Sequence, residues 1–139
     1  MDKLPKSKTQ IVREGFNRAC TDFTMLATPF GFSRFRARYW LRQADGFTDV
    51  IHFYRFGASY GASIDHSIQI RVHFASYFGQ LPDPIGFNGP VSDQLRDSRG
   101  YCYHLRFNAL TWSTYERCLD DLIRVLEDHG LPWFAKQRV

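Results

Sequence analysis

The sequence predicts an α+β protein in which two helices cover one face of a four-stranded, mainly antiparallel sheet. Four segments alternate apolar and polar residues with a period of two, which is typical of strands with one buried face. Two segments near the ends of the chain space their apolar residues three and four apart, as amphipathic helices do. Both helices are one-sided, so a two-layer sandwich of order α-β-β-β-β-α gives each a surface to cover.

The composition favours one soluble domain covering residues 1–139, with a flexible tail at residues 1–8. No apolar run approaches the roughly 18 residues of a membrane span, so we expect no membrane partner. The first ten residues are polar and lack the apolar part of a secretory signal. Cys20, Cys102 and Cys118 are odd in number and widely spaced, which favours reduced thiols and a cytoplasmic location. The net charge of +4 permits an anionic partner without requiring one.

The first helix is predicted at residues 11–27, with Ser7 or Thr9 as its N-cap. Pro29 and Gly31 then end it and release the chain into the stretch 32–42, FSRFRARYWLR, predicted as one strand. Alternate residues of this strand should face the core and the solvent. The predicted core side holds Phe35, Ala37, Tyr39 and Leu41, and the solvent side holds Arg34, Arg36, Arg38, Trp40 and Arg42.

Three more strands follow. A turn at Asp45-Gly46 leads to a strand at 47–56, and a connector at 57–63 leads to a strand at 67–76. The segment 79–100 is rich in proline and glycine and has no sustained period, so we expect a long loop that is a lid, an edge cover or a partner contact. A last strand is predicted at 101–107.

The C-terminal helix is predicted to begin at Ser113, whose hydroxyl would form a capping box with Glu116. Gly130 and Pro132 should stop it. The tail that follows contains Trp133 and Phe134, which we expect to pack back against the domain.

Four segments carry a resemblance: GFSRFRARYWLR at 31–42, DVIHFYR at 49–55, SIQIRVHF at 67–74 and GLPWFAK at 130–136. In spacing of apolar and aromatic residues, over residues 16–135, they resemble the bacterial domain-of-unknown-function 4304 family. Two regions depart from its pattern: residues 53–55 lack the glutamine often found after the second strand, and residues 93–96 lack a Trp-rich segment. The resemblance implies a compact, cytoplasmic bacterial domain and implies no active-site residue.

The solvent face of the predicted sheet combines basic and aromatic residues. Its candidate binding residues are Arg36, Arg38, Trp40, Tyr54, Arg71 and Arg106. Guanidinium groups beside stacking rings are what sheets use to hold single-stranded nucleic acid. The alternative is a solvated face whose arginine stems cover aromatic surface and discourage edge aggregation. The consensus of RNA-recognition sheets is absent.

His52, His73 and His104 lie one on each of three predicted strands. If the strands are neighbours in register, the imidazoles would lie about 5 Å apart and could hold zinc, with Cys102 as a fourth ligand. A register slip of one residue removes this site, and no HxH or CxxC spacing assembles it in advance.

No motif in the sequence demands an enzyme. Cys20 and Cys118 fall on helix core faces, and no strand-to-helix elbow, oxyanion loop or carboxylate pair accompanies a nucleophile. We therefore expect a non-enzymatic, cofactor-free binding module that meets another protein through its open sheet face and the 79–100 loop. The alternative is a nucleic-acid or polyanion binder on the basic residues, and the third interpretation is a metal-dependent enzyme on the histidines. The oligomeric state is left open.

Overall fold

The computed structural model describes residues 5–56 and 66–139. The predicted connector at 57–63 lies outside these ranges. Within them the helices and strands are α1 (Lys8–Ala27), β1 (Ser33–Arg36), β2 (Tyr39–Ala44), β3 (Phe47–Phe56), β4 (Ser67–Phe78), β5 (Arg106–Asn108), α2 (Tyr115–Val125) and α3 (Leu131–Lys136).

The sheet is an antiparallel meander whose strand order, β1-β2-β3-β4-β5, follows the chain. The α+β class and the antiparallel sheet are therefore confirmed, although the described sheet has five strands where four were predicted. The additional strand arises because the stretch 32–42 folds into a hairpin, β1 and β2, around a turn at residues 37–38. The predicted turn between β2 and β3 is present, and Asp45 and Gly46 both adopt positive φ, 58° and 81°.

The predicted orientation of residues 32–42 is wrong, because Trp40 lies in the core. Its side chain has 0% exposure and packs against the rings of Phe23 and Phe53, at 5.0 and 4.5 Å between centroids. The indole Nε1 donates to the Thr24 hydroxyl at 2.9 Å, so its one polar group is satisfied. Phe35, expected in the core, is 48% exposed. A period of two separates two faces but does not say which one is buried.

Three of the arginines expected on the solvent face, Arg34, Arg38 and Arg42, lie on the same face as Trp40. The register places Arg34 opposite Trp40, and its guanidinium donates to the Asn17 side chain of α1 at 3.1 Å. Arg42 donates to the Asp49 carboxylate at 2.9 Å. Their apolar stems line the margin of the core while the charged groups reach partners at its rim, a use of arginine that alternation alone does not reveal.

The helices cover the same face of the sheet, as predicted, and their buried side chains join those of β2, β3 and β4 in one hydrophobic cluster. Ser7 is the N-cap of α1, and its hydroxyl accepts the Gln10 N–H at 3.1 Å. Gly15 allows α1 to approach the residues after β5, since a Cβ there would lie 2.8 Å from the Ala109 Cβ.

The C-terminal helix begins later than predicted, because the capping box of Ser113 and Glu116 does not form. Thr114 is the N-cap instead, with a φ of 63° and no side-chain cap bond. The helix also continues past the predicted stop. A π-helical turn at Leu126–Gly130 joins α2 to α3, and Pro132 lies in the first turn of α3, where its missing N–H is no loss.

The chain end is held against the sheet by two kinds of contact. Phe134 is fully buried beside Phe32 and Phe74, so its predicted packing is confirmed. Asp49, also with 0% side-chain exposure, accepts hydrogen bonds from Arg42, Arg138 and Ser76 at 2.5 to 3.0 Å. Because Arg138 follows α3, this carboxylate fastens the segment after α3 to the sheet.

The long loop covers the edge of β4 that β5 leaves free. The Gly89 N–H donates to the Phe74 carbonyl, and Ser92 Oγ accepts the Val72 N–H, at 3.0 and 2.9 Å. Of the predicted strand at 101–107, only β5 forms a ladder with β4. The Leu105 carbonyl still accepts the Ile70 N–H at the edge of β4, and the residues before Leu105 diverge from that edge. One of the three expectations for the loop, an edge cover, is therefore confirmed.

No helix of the described residues combines the length and the apolar character that a bilayer crossing requires.

Candidate binding surface

The outer face of the sheet, defined here as the face opposite the helices, carries a row of three aromatic side chains at its centre. Tyr39, His52 and His73 lie side by side on β2, β3 and β4 in direct register. Phe87 of the long loop lies across them, with its ring 4.8 Å from His52 and 5.0 Å from His73 and nearly parallel to both. The outer face is therefore less open than the sequence predicts.

His52 and His73 form a hydrogen-bonded pair beneath Phe87. Their Nδ1 atoms lie 3.2 Å apart and their rings are within 5° of parallel. Burial and the neighbouring His73 and Arg38 charges lower the pKa of His52 to about 4. Burial and the nearby Arg71 lower the pKa of His73, although Asp93 opposes this. Both imidazoles are therefore neutral at neutral pH. One of the two rings donates a hydrogen bond from its Nδ1–H to the Nδ1 of the other.

The third histidine of the predicted metal site lies elsewhere. His104 precedes β5, and its backbone N–H donates to the Asp121 carboxylate of α2 at 2.5 Å. Cys102 is exposed and forms an isolated bridge with Arg96. Within residues 5–56 and 66–139, no three histidine, cysteine or acidic side chains converge on one point. The register thus brings together two of the three predicted ligands.

The six candidate binding residues divide between different surfaces. Arg36, Tyr54, Arg71 and Arg106 belong to the outer face by their register or ring contacts. Arg38 lies on the helix side, with its guanidinium 5.0 Å from the Phe16 ring of α1. Trp40 is in the core and is not available to a partner.

An apolar groove occupies the end of the outer face nearest β1 and the β2–β3 turn. It has a volume of about 590 Å³ and is lined by Phe35, Leu41, Phe47 and Leu81, with smaller residues of the two adjoining turns between them. Arg36 borders the groove, since its guanidinium lies 4.8 Å from the Phe35 ring. We call this feature the Phe35 groove.

The opposite end of the outer face carries a second aromatic cluster. The rings of Tyr54 and Phe56 are nearly parallel, with centroids 6.2 Å apart. The Arg71 guanidinium lies 4.6 Å from the Phe56 ring and forms an ion pair with Asp93 at 2.7 Å. Tyr54 is 46% exposed. We call these three residues, Tyr54, Phe56 and Arg71, the Tyr54 platform.

Sequence reasoning missed several residues of this surface. Phe87 was one residue in an unassigned loop, although a lone aromatic between Gly86, Asn88 and Gly89 is a signal that a loop returns to the protein. Phe35 was assigned to the wrong face with the rest of its strand. Asp93 carried no signal, because only the folded loop brings it to Arg71.

The two buried cysteines show no sign of activation. Cys20 and Cys118 are buried, as predicted, and burial raises the pKa of each thiol to about 12. A thiol in such a position stays protonated at neutral pH and is a poor nucleophile.

Comparisons with protein families, with curated proteins and with solved structures found no match. The resemblance to the domain-of-unknown-function 4304 family therefore stays a prediction, and the geometry of the outer face is what a functional argument can use.

Proposed function

We propose that the protein is a non-enzymatic binding module that holds an acidic segment of another protein in the Phe35 groove. The observation that carries this proposal is the groove itself, in which Phe35 is 48% exposed beside the half-buried Leu41. Concave apolar surface of this kind is uncommon on a monomer and marks sites of association. The residues Gln80 and Leu81 of the long loop complete one wall, so the loop contributes to the contact.

The partner docks on the face of the sheet and not on its edge. β1 is an edge strand of four residues, and the register shifts between Arg34 and Arg36, which indicates a bulge. Short length, a bulge and basic side chains are the devices that prevent an added strand from pairing. Side chains inserted into the groove are compatible with all three.

The free charge beside the groove is positive. Arg36 forms no ion pair among the described residues, whereas Asp45, which lines the groove, is held by Arg138 at 3.3 Å. An acidic partner segment with aromatic or aliphatic side chains therefore matches both the lining and the charge. The three cysteines are free, which suits a reducing compartment such as the cytoplasm.

A peptide titration tests the proposal. Fluorescently labelled peptides would carry leucine and phenylalanine flanked either by glutamate or by lysine, and anisotropy would report binding. We expect the acidic peptides to bind at micromolar concentrations and the basic ones not to bind. Phe35→Ser should abolish binding. Met25→Ser is the matched control, because Met25 is equally apolar, 74% exposed and located on α1.

Two outcomes would overturn the proposal. Equal binding by the Phe35→Ser and Met25→Ser variants would show that the peptide does not occupy the groove. Sedimentation of the free protein supplies the other: a dimer that Phe35→Ser dissociates would mean that a second copy of the chain, and not a different protein, fills the groove.

A further inference from the structure

A small pocket lies beside the Tyr54 platform, at the opposite end of the outer face from the Phe35 groove. It has a volume of about 260 Å³ and lies between the end of β3, the start of β4 and two segments of the long loop region. The lining residues whose side chains carry an aromatic ring, a polar group or a thiol are Phe56, Gln69, Ser92, Asp93, Cys102 and Tyr103.

The walls of this pocket suit a flat ring. The Phe56 ring supplies the apolar surface of these walls, since Ile70 and Leu105, which also border the pocket, are 1% and 8% exposed and belong to the hydrophobic core. Gln69 and Asp93 place an amide and a carboxylate in the lining. Apolar surface for the faces of a ring, with a few polar groups for its edge, is the usual composition of a site for a planar heterocycle.

Positive charge accompanies the pocket. Arg106 lies directly across from Gln69 in the ladder of β4 and β5, is exposed, and forms no ion pair with any described carboxylate. Arg71 is held in place by its ion pair with Asp93, and it in turn fixes that carboxylate at the pocket. A ligand with its ring in the pocket could therefore present an anionic group to Arg106.

We propose that this pocket binds the base of a nucleotide, with Arg106 receiving the phosphate and Tyr54 offering a surface for a neighbouring base. The same chemistry is present in a free nucleotide and at the end of a single-stranded nucleic acid. Asp93 only accepts hydrogen bonds, so the site favours guanine, whose N1–H and amino group present two adjacent donors to one carboxylate, over uracil, whose N3–H presents one.

Calorimetric titrations with the four ribonucleoside 5′-monophosphates, and anisotropy with a short labelled single-stranded RNA, test this proposal. We expect guanosine monophosphate to bind more tightly than uridine monophosphate. Phe56→Leu keeps an apolar side chain but removes the ring, and it should weaken binding about tenfold. Arg106→Gln should weaken binding about fivefold and reduce the salt dependence of the affinity.

Arg13→Gln is the matched control for charge, because Arg13 is exposed on α1 in the other layer. Binding of mononucleotides would identify a free nucleotide as the ligand, and binding of RNA alone would identify the polymer. Absence of binding by both, or an equal loss in the Arg13→Gln and Arg106→Gln variants, would overturn the proposal. Gln69→Ala is a second variant if Phe56→Leu proves unstable. Phe35→Ser should leave nucleotide binding unchanged, so this site and the groove can fail independently.

Discussion

The two faces of the sheet use charged and aromatic side chains in opposite ways. On the helix side, the aromatic rings of Phe23, Trp40 and Phe53 are buried against one another, and the buried Asp49 is fully hydrogen-bonded. On the outer face, Tyr54 and Phe35 remain about half exposed. The difference teaches that aromatic content by itself does not distinguish core from binding surface. Core and binding surface are distinguished instead by how deeply the rings are buried and by whether the neighbouring polar groups have hydrogen-bond partners.

The largest expected effect is the loss of the central core ring. Trp40→Ala removes a side chain with 0% exposure and should lower the free energy of unfolding by about 3–5 kcal/mol. Denaturant unfolding measures this. Tyr54→Ala, on the other face, is the comparison and should change stability far less. A loss below about 1 kcal/mol for Trp40→Ala would contradict the core position.

The second largest loss of stability is expected when the buried Asp49 carboxylate is removed. Asp49→Ala leaves Arg42 and Arg138 without their shared partner and should cost about 3 kcal/mol in the free energy of unfolding, because breaking a buried ion pair leaves uncompensated charge. Asp45→Ala removes the exposed partner of the same Arg138 and should cost well under about 1 kcal/mol. Equal losses for the two variants would show that burial of Asp49 contributes nothing.

The His52–His73 pair allows the two faces of the sheet to be compared by changing the pH. It lies on the outer face, but burial lowers the pKa of both imidazoles. The folded pKa of His52, about 4, lies below the ordinary value of 6.5. The unfolded chain therefore takes up a proton first, so the contribution of His52 to stability is constant above neutral pH and is lost as the pH drops from about 6.5 to 4. His73 contributes in the same direction, since its pKa is also lowered.

The expected loss over that pH range is about 2 kcal/mol. The charged groups that act on the pair are Arg38, Arg71 and Asp93, and only the last favours protonation. Unfolding at several pH values would measure the slope, with a His52→Gln, His73→Gln double variant as control. An identical slope in the double variant would show that other groups cause the pH dependence.

The smallest stability effects are expected where the binding effects are largest. Phe35→Ser and Tyr54→Ser should each lower the free energy of unfolding by about 1 kcal/mol or less, because about half of each side chain is exposed. The first should abolish peptide binding, and the second should weaken RNA binding. Thermal unfolding next to the two binding assays would check this. A strong destabilisation by either variant would place its ring in the structural part of the sheet.

Features of the fold that depend on neighbouring residues were predicted from the sequence more accurately than features that depend on contacts between distant residues. The bounds of β3, the Asp45-Gly46 turn and the helix periodicity follow from neighbouring residues, and all three were predicted. The stop at Gly130 was predicted wrongly, because the buried contact of this glycine with Phe74, where a Cβ would lie 2.8 Å from the ring, outweighs its local preference to end a helix.

The candidate surfaces were predicted in part. Tyr54, Arg71 and Arg106 were identified on the outer face, because their parity in β3, β4 and β5 follows from apolar alternation, whereas Arg36 reaches this face through the register shift in β1. Trp40 was misplaced with its whole strand. The Phe35 groove and the pocket beside Phe56 could not be predicted, since each combines residues from segments far apart in the chain.

The sequence by itself determined an α+β chain with antiparallel strands between two one-sided helices, because apolar periodicity is written along the chain. Tertiary structure decided which face of the first hairpin is buried, where the long loop runs and which histidines meet. These outcomes depend on register and on competition between distant groups for the same space. A shift of one residue turns every side chain of a strand to the other face, and no local pattern excludes it.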